Sequence, residues 1–280
     1  VKTFIGPIFS DETKEVKDYI RNKKDLTFFS LSPDLSNVSE NVIVSGQNPE
    51  DQMSCIIQHV TTTDPKKILL IHHSDRYGFV IKKSFQKFLE SFGLANSISA
   101  EYFEVGSNTV LNEGIKKLSE FDFRKKQLKK EIKNLKQNKI LDQESKNRQL
   151  KSLERKLTLD SPFNHIIVAS EGERLLEILS HLAFYDINSE NTNIYGTSLW
   201  EDTDKNDNVF KNTYFVTSLR ERNEEFYRSF KSVFSKDPMS FNYHIHDLIS
   251  FVQNFKLLDE EEKFRETFYG EFSTTKINSG

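Results

Sequence analysis

Hydroxyl side chains recur in this sequence at one kind of place, directly after a short apolar run. Residues 3–8 run into Phe9-Ser10, residues 26–29 into Ser30-Leu31-Ser32, and residues 42–44 into Ser45-Gly46. Residues 68–71 run into His72-His73-Ser74-Asp75, residues 166–168 into Ala169-Ser170-Glu171, and Ile194-Tyr195 into Gly196-Thr197-Ser198. The chemistry this offers is recognition and not bond making. A hydroxyl both donates and accepts a hydrogen bond, and a small one lets a ligand come close to the backbone. Buried parallel strands read as near-continuous apolar runs, and open α/β sheets bind ligands beyond the carboxyl ends of their strands. Ser10, Ser30, Ser32, Ser170 and Ser198 are therefore candidates for one shared groove. Each taken singly could equally end a strand or cap the next helix.

Other chemistries find less support. The sequence has no GxGxxG, no GxxxxGK[ST] and no GxSxG, so the usual phosphate loops and nucleophile elbow are absent, and the expected cofactor is none. A hydrolase or transferase on a flavodoxin-like sheet would rest on fold analogy alone, because no nucleophile–base pair is nominated. His72 and His73 are adjacent and would face opposite ways on a strand. His244 and His246 could share a face if extended, yet no carboxylate stands at a spacing that completes an HExxH-type metal site. Glu171, Glu201, Asp202 and Asp247 could supply an acid–base pair, but their spacing selects no two of them. Solvated surface charge is their default. The lone Cys55 excludes an internal disulfide and any CxxC site; Met53-Ser54-Cys55-Ile56-Ile57 reads as the buried face of a helix.

These residues need a scaffold, and the pattern around them supplies one. Strand-like runs alternate with helical periodicity, which predicts βα units and a parallel sheet. Helices are expected at 11–21, capped by Ser10 or Asp11, at 50–60 after Asn48-Pro49, at 77–92, 111–118, 173–183, 223–234 and 246–255. Strands are expected at 66–71, 99–105, 165–168, 193–196 and 214–217, with a short one at 267–273. Between 121 and 158 the regularity changes. Phe121, Leu128, Ile132 and Leu135, then Leu150, Leu153 and Leu157, form a narrow apolar seam with charge all round it. That predicts two antiparallel helices leaning on each other.

Composition bounds the rest. The 280 residues carry a net charge of −3, but residues 121–157 hold 13 Lys/Arg against 5 Asp/Glu, which is +8 and leaves −11 elsewhere. The basic segment has aromatics only at Phe121 and Phe123, so it lacks the interleaved stacking residues of single-strand binders. A protein partner or an acidic polymer fits it better, and no nucleic-acid partner is expected. No apolar stretch approaches the ~20 residues of a membrane-spanning helix. The first residue is Val1, so any signal peptide or lipid-attachment cysteine would lie outside these residues.

Several segments together resemble the type I periplasmic-binding-protein (leucine-binding-protein-like) family. Phe4-Ile5-Gly6-Pro7-Ile8-Phe9-Ser10 resembles its strand-to-loop segment, whose terminal hydroxyl holds the ligand, and residues 26–34 resemble the next strand with its ligand-contacting loop. Residues 68–71 followed by Ser74-Asp75-Arg76-Tyr77-Gly78 match its recurring strand and D-x-Y-G, where the Tyr faces the cleft. Ile194-Tyr195-Gly196-Thr197 and the helix start at His246-Asp247-Leu248 are similar as well. Within the superfamily, Gly6-Pro7-Ile8-Phe9-Ser10, Ala183-Phe184-Tyr185-Asp186-Ile187, Gly196-Thr197-Ser198-Leu199-Trp200 and the charged insertion before Ser161-Pro162-Phe163 resemble the penicillin-binding protein activator branch of envelope lipoproteins.

The resemblance implies a two-lobed α/β fold of periplasmic-binding-protein type I with parallel sheets, its first βαβα missing, plus the helical hairpin. Residues 1–45 with 219–262 would form lobe 1, residues 46–218 with 263–280 lobe 2, and 121–158 an insertion, with hinges at Ser45-Gly46 and Thr217-Ser218. Ser10, Ser30, Ser32, Tyr77, Ser170 and Ser198 would line the interlobe cleft. Amino-acid binders of this family hold the ligand's ammonium with an acid on the second lobe. Thr197-Ser198 stand there instead, at a cost of about 1.5–3 kcal/mol for the lost charge-assisted contact. The implied function is a non-enzymatic envelope protein regulating peptidoglycan synthesis through a synthase partner. The alternative is an ABC-transporter substrate-binding protein for an amino acid or related polar solute. The expected location is the periplasm, as an outer-membrane lipoprotein held to the membrane only by an N-terminal anchor outside these residues.

Overall fold

A computed structural model describes residues 2–23, 25–138, 140–217, 223–255 and 276–279. Among them the strands form two sheets. The smaller has β1 (Lys2–Ile5), β2 (Leu26–Ser30) and β3 (Val42–Val44) in that order, all parallel. The larger has the order β5-β4-β6-β7-β8-β9, with β4 at Lys67–His73, β5 at Ser99–Val105, β6 at His165–Ala169, β7 at Asn193–Gly196, β8 at Tyr214–Thr217 and β9 at Lys276–Ser279. Its pairs are parallel except β8 with β9, which is antiparallel. The α/β fold with parallel sheets therefore stands.

The continuous apolar runs have a direct cause. Side chains of a strand alternate between faces, and β4 is buried on both. Ile68 and Leu70 join Met53, Ile56 and Ile57 of α2 (Pro49–Thr61) and Ile81 and Phe85 of α3 (Arg76–Ser91). Leu69 and Ile71 join Leu111 and Ile115 of α4 (Leu111–Leu118) and Leu175, Ile178 and Leu182 of α7 (Gly172–Phe184). On the smaller sheet, Phe29 packs on Leu248 and Phe251 of α9 (Ser240–Phe255). Close approach is also built in by Gly196, where an added Cβ would sit 2.0 Å from the Trp200 ring. Trp200 lies under β7 and donates from its indole nitrogen to the Val168 carbonyl at 3.1 Å.

Some boundaries differ from the sequence reading. The first helix, α1, spans Ser10–Ile20, so Ser10 is its first turn and not its cap; Phe9 holds the cap position without a side-chain bond. Helix α9 begins at Ser240, six residues before the expected 246, so His246 is inside a helix. Its start is fixed by Asp202, which accepts from the Ser240 backbone N–H at 2.7 Å and its hydroxyl at 2.6 Å. No local pattern contains a cap 38 residues away. Because that segment is helical, His244 and His246 lie about 200° apart and share no face. Cys55 is half-buried, flanked by the fully buried Met53, Ile56 and Ile57, and burial pushes its thiol pKa up. The strand expected at 267–273 lies outside the described residues.

Helices α5 (Phe121–Gln137) and α6 (Gln143–Leu153) make up the charged segment. Arg124, 4% exposed, anchors its base by donating to the carbonyls of Tyr185 at 2.8 Å and Asp186 at 3.3 Å. Thr158, on the returning chain, donates from its backbone and hydroxyl to the Asp186 carboxylate at 3.1 and 2.5 Å. The pair therefore leaves the body and returns at one residue, with Leu128 buried near the base and no residue of α6 buried.

Burial also sets a pH dependence. His165 on β6 is 1% exposed, and its pKa is lowered from 6.5 to about 4, chiefly by desolvation and secondarily by neighbouring His59. The unfolded chain then binds a proton below pH 6.5 that the folded chain refuses until about pH 4, so stability rises with pH across that window. His244 is shifted in the same direction by burial. Urea unfolding should show about 2 kcal/mol less stability at pH 5 than at pH 7 from His165, and a His165→Gln variant should lose most of that slope. An unchanged slope in the variant would contradict the assignment.

Candidate functional site

On the smaller sheet the strand ends meet the start of α1. Ser30 is 0% exposed and its hydroxyl is fully used: it pairs with the Thr13 hydroxyl at 2.7 Å, donates to the Pro7 carbonyl at 3.3 Å and accepts from the Ser32 N–H at 3.1 Å. Ser32 is buried too, bonded to the Ser10 hydroxyl at 2.8 Å and accepting from the Asp34 N–H at 3.1 Å. Of these three, Ser10 is half-buried and stands outermost. Ser30 and Ser32 brace the loop that presents it.

On the larger sheet, β4 ends at His73 and turns at once into α3. Asp75 caps that helix by accepting from the Gly78 N–H at 2.7 Å. Position 78 must be glycine, because a Cβ there would fall 2.0 Å from the His73 carbonyl oxygen. This tight turn places Arg76 and Tyr77. The Tyr77 hydroxyl lies beside Thr197, at the end of β7, close enough for the threonine to offset part of the shift in its pKa, yet neither buried oxygen meets hydrogen-bond geometry with the other or with any other described atom. Burial drives the Tyr77 phenol well above its usual pKa, helped by the carboxylates of Glu171 and Asp75, so it stays a neutral donor and acceptor. Ser198 is half-buried, and its N–H donates to Gln52 Oε1 at 2.9 Å.

The two sheets meet here. Arg76 reaches from α3 to Asp11 of α1 at 3.1 Å and to Asp34 at 3.3 Å. Asp11 follows Ser10 and Arg76 precedes Tyr77, so this bridge draws the start of α1 towards the start of α3. Gln47 to Glu201 at 3.3 Å and Asp202 to Ser240 are further ties between the segments. A cavity of about 350 Å³ lies between His72, His73, Phe79, Lys82 and Glu104, and another of about 340 Å³ between Ser74, Gly106, Ser107 and Arg174; neither is lined by Ser10, Ser30, Ser32, Tyr77, Ser170 or Ser198.

The sequence reading singled out Ser198 where the structure leaves the neighbouring Thr197, 0% exposed, with the unused hydroxyl. It did not single out Arg76, although the D-x-Y-G segment contains it. Ser170 is 1% exposed and bonds His73 Nε2 at 2.8 Å. That is a nucleophile–base distance, but a reacting group needs room for substrate, and among the described residues no carboxylate bonds the other nitrogen of His73. The contact reads as a tie between β4 and β6. Glu171 precedes α7, Asp247 lies in α9, and Glu201 and Asp202 are neighbours in one turn whose carboxylates go different ways, Glu201 to Gln47 at 3.3 Å and Asp202 to the cap of α9. Among the described residues no cluster of His, Cys, Asp and Glu could hold a metal ion, and no helix is long and apolar enough to cross a membrane.

Comparison with known proteins gives a consistent picture. Residues 1–135 match the family described as periplasmic binding protein domain. No curated protein matches the chain in sequence. Among solved structures, an ABC transporter substrate-binding protein from Desulfitobacterium hafniense aligns at 9% identity and TM-score 0.55, covering 96% of this chain and 68% of that one. A leucine binding protein from Thermotoga maritima aligns at 11% identity and TM-score 0.52, with the same coverages of 96% and 68%. A solute binding protein of an ABC transporter from R. palustris, in complex with 4-hydroxybenzoate, aligns at 10% identity and TM-score 0.58, covering 90% and 61%. A branched-chain amino acid ABC transporter ligand-binding protein from Burkholderia xenovorans is matched over 57% of its length. At these identities the likeness shows the fold, and the chain spans 57% to 68% of these structures. None of these four is a penicillin-binding protein activator.

The hydroxyls have opposite roles in stability. An unpartnered buried hydroxyl costs free energy, whereas a saturated one contributes it. Tyr77→Phe should leave the ligand-free chain as stable or up to about 1 kcal/mol more stable, and Ser30→Ala should cost about 1–2 kcal/mol, both read by urea unfolding. Destabilisation by Tyr77→Phe would mean that its hydroxyl is bonded within the protein.

Proposed function

We propose that this chain, whose first 135 residues match a periplasmic binding protein domain, is the ligand-binding part of a two-lobed solute-binding protein of the kind that serves ABC transporters. The observation that carries this reading is the pair of buried hydroxyls on Tyr77 and Thr197, side by side and without a well-formed hydrogen bond, next in sequence to the Arg76 bridge. Nothing in folding rewards two such oxygens, whereas a polar ligand closing the groove would satisfy both. The division into lobes and the hinges at Ser45-Gly46 and Thr217-Ser218 belong to the same proposal, and residues 218–222 lie outside the described structure. A periplasmic location goes with this domain type, and family and structural neighbours are binding proteins.

The ligand is a small solute bearing a carboxylate. Ser10, Tyr77, Thr197 and Arg76 are all able to donate, and a carboxylate accepts from several donors at once. An ammonium has no acid at positions 197 and 198, leaving it Glu171 and Asp75 beside the Tyr77 phenol. The site thus offers donors to a carboxylate and acids to an ammonium, and simple acids and amino acids rank alike. Two of the structures similar to this chain were solved with benzoate and with leucine, so both kinds of acid are reasonable probes.

A second reading, regulation of peptidoglycan synthesis by contact with a synthase, rests on the activator-like segments and on the hairpin before Ser161-Pro162-Phe163. The comparisons favour solute binding over it, and an outer-membrane lipoprotein anchor belongs to this second reading alone. The two separate by experiment. Thermal unfolding with L-leucine, other amino acids, benzoate and 4-hydroxybenzoate should show a carboxylate that stabilises by about 2.7 kcal/mol at a hundredfold excess over its Kd. Tyr77→Phe should weaken that ligand about tenfold, the worth of one good hydrogen bond to a charged group. A flat response across all probes, with retention of a wall synthase on the immobilised protein, would replace the first reading by the second.

A further inference from the structure

The back of α5 is a lysine face with no partner. Lys126, Lys129, Lys130 and Lys133 stand at i, i+3, i+4 and i+7, opposite the inward-facing Leu128, Ile132 and Leu135, and all four are exposed. None makes an ion pair with a described residue. Like charges at i,i+4 repel one another on a helix, so this face gains from an external anion. Asp122, the one acid on that side, is occupied by Lys116 at 2.9 Å. At the far end of the hairpin, Ile140 is 96% exposed, with its N–H held by Asn138 Oδ1 at 2.8 Å. A bare isoleucine at the tip of a basic projection is out of place in water.

We propose that the hairpin docks the protein on an anionic lipid bilayer, the lysine face meeting headgroup phosphates and Ile140 entering the headgroup region. Three observations favour lipid over other polyanions. The face has no arginine fork, and its one exposed aromatic neighbour, Phe123, stands at the base of the helix, so it offers neither the bidentate contacts nor the interleaved stacking that nucleic acids use. Lysine is depleted at protein–protein interfaces, whereas clustered lysines beside an apolar residue bind anionic membranes. Finally, the body carries the −11 that the hairpin does not, and an anionic surface repels it. The 17 residues of α5 reach about 25 Å, beyond the ~8–10 Å over which that repulsion acts in physiological salt. A long basic arm is what lets an acidic body rest near such a surface.

The test is flotation of the intact chain with vesicles of phosphatidylcholine alone and of phosphatidylcholine with about 30% phosphatidylglycerol. Binding should appear only with the anionic vesicles and weaken about fivefold for each lysine removed. K126E/K129E/K130E/K133E should abolish it while circular dichroism and the melting temperature stay unchanged, since these side chains touch nothing. Ile140→Asp should weaken it several-fold with the lysines intact. No binding to anionic vesicles, equal binding to both vesicle types, or full binding by the quadruple variant would overturn the proposal. Undiminished binding by Ile140→Asp would overturn the insertion of the tip. None of these outcomes bears on the solute groove, so the two proposals fail separately.

Discussion

Burial of β4 on both faces is the constraint from which the rest of this molecule follows. Ile68 and Leu70 meet α2 and α3 on one side, and Leu69 and Ile71 meet α4 and α7 on the other. A strand covered in this way has no solvent along its length, so its polar groups can gather only at its ends. Parallel neighbours point the same way, and β6 and β7 therefore deliver Ser170 and Thr197 to the edge where β4 delivers His73. The Gly78 contact with the His73 carbonyl then folds the chain back tightly enough to hang Tyr77 over that edge. Packing thus gathers polar side chains at this one edge.

Within that edge, hydroxyls divide by what they touch. Ser30, Ser32 and Ser170 are saturated by Thr13, Ser10 and His73 and hold loops in place. The Tyr77 and Thr197 hydroxyl oxygens are buried side by side without a well-formed hydrogen bond. Buried polar groups are nearly always bonded, so two exceptions side by side at a strand terminus mark a site more sharply than any saturated serine. Arg76 adds a charged link between the sheets. Its ion pairs to Asp11 and Asp34 are exposed and individually weak.

The hairpin obeys a different logic. Its base is specified by Arg124, whose buried guanidinium serves the carbonyls that end α7; desolvation lowers that group's pKa, opposed by Asp186. Beyond Leu128 little is buried, so the sequence there is under charge control and not packing control. The body and the arm thus answer to opposite requirements, an acidic shell around a dense core and a basic surface around almost none.

Periodicity alone was enough for the alternating strands and helices and the two-helix hairpin, because burial on one or two faces writes period 2 and period 3.6 directly into residue order. The glycine of D-x-Y-G and the apolar runs of β4 and β6 carried the fold in the same way. Residue order could not say which hydroxyls would be saturated, since Ser30 finds Thr13 and Ser170 finds His73 across gaps of 17 and 97 residues. Nor could it place the start of α9, set by Asp202 from another part of the chain. Hydrogen-bond satisfaction is a property of neighbours in space, and those neighbours exist once the sheets have closed.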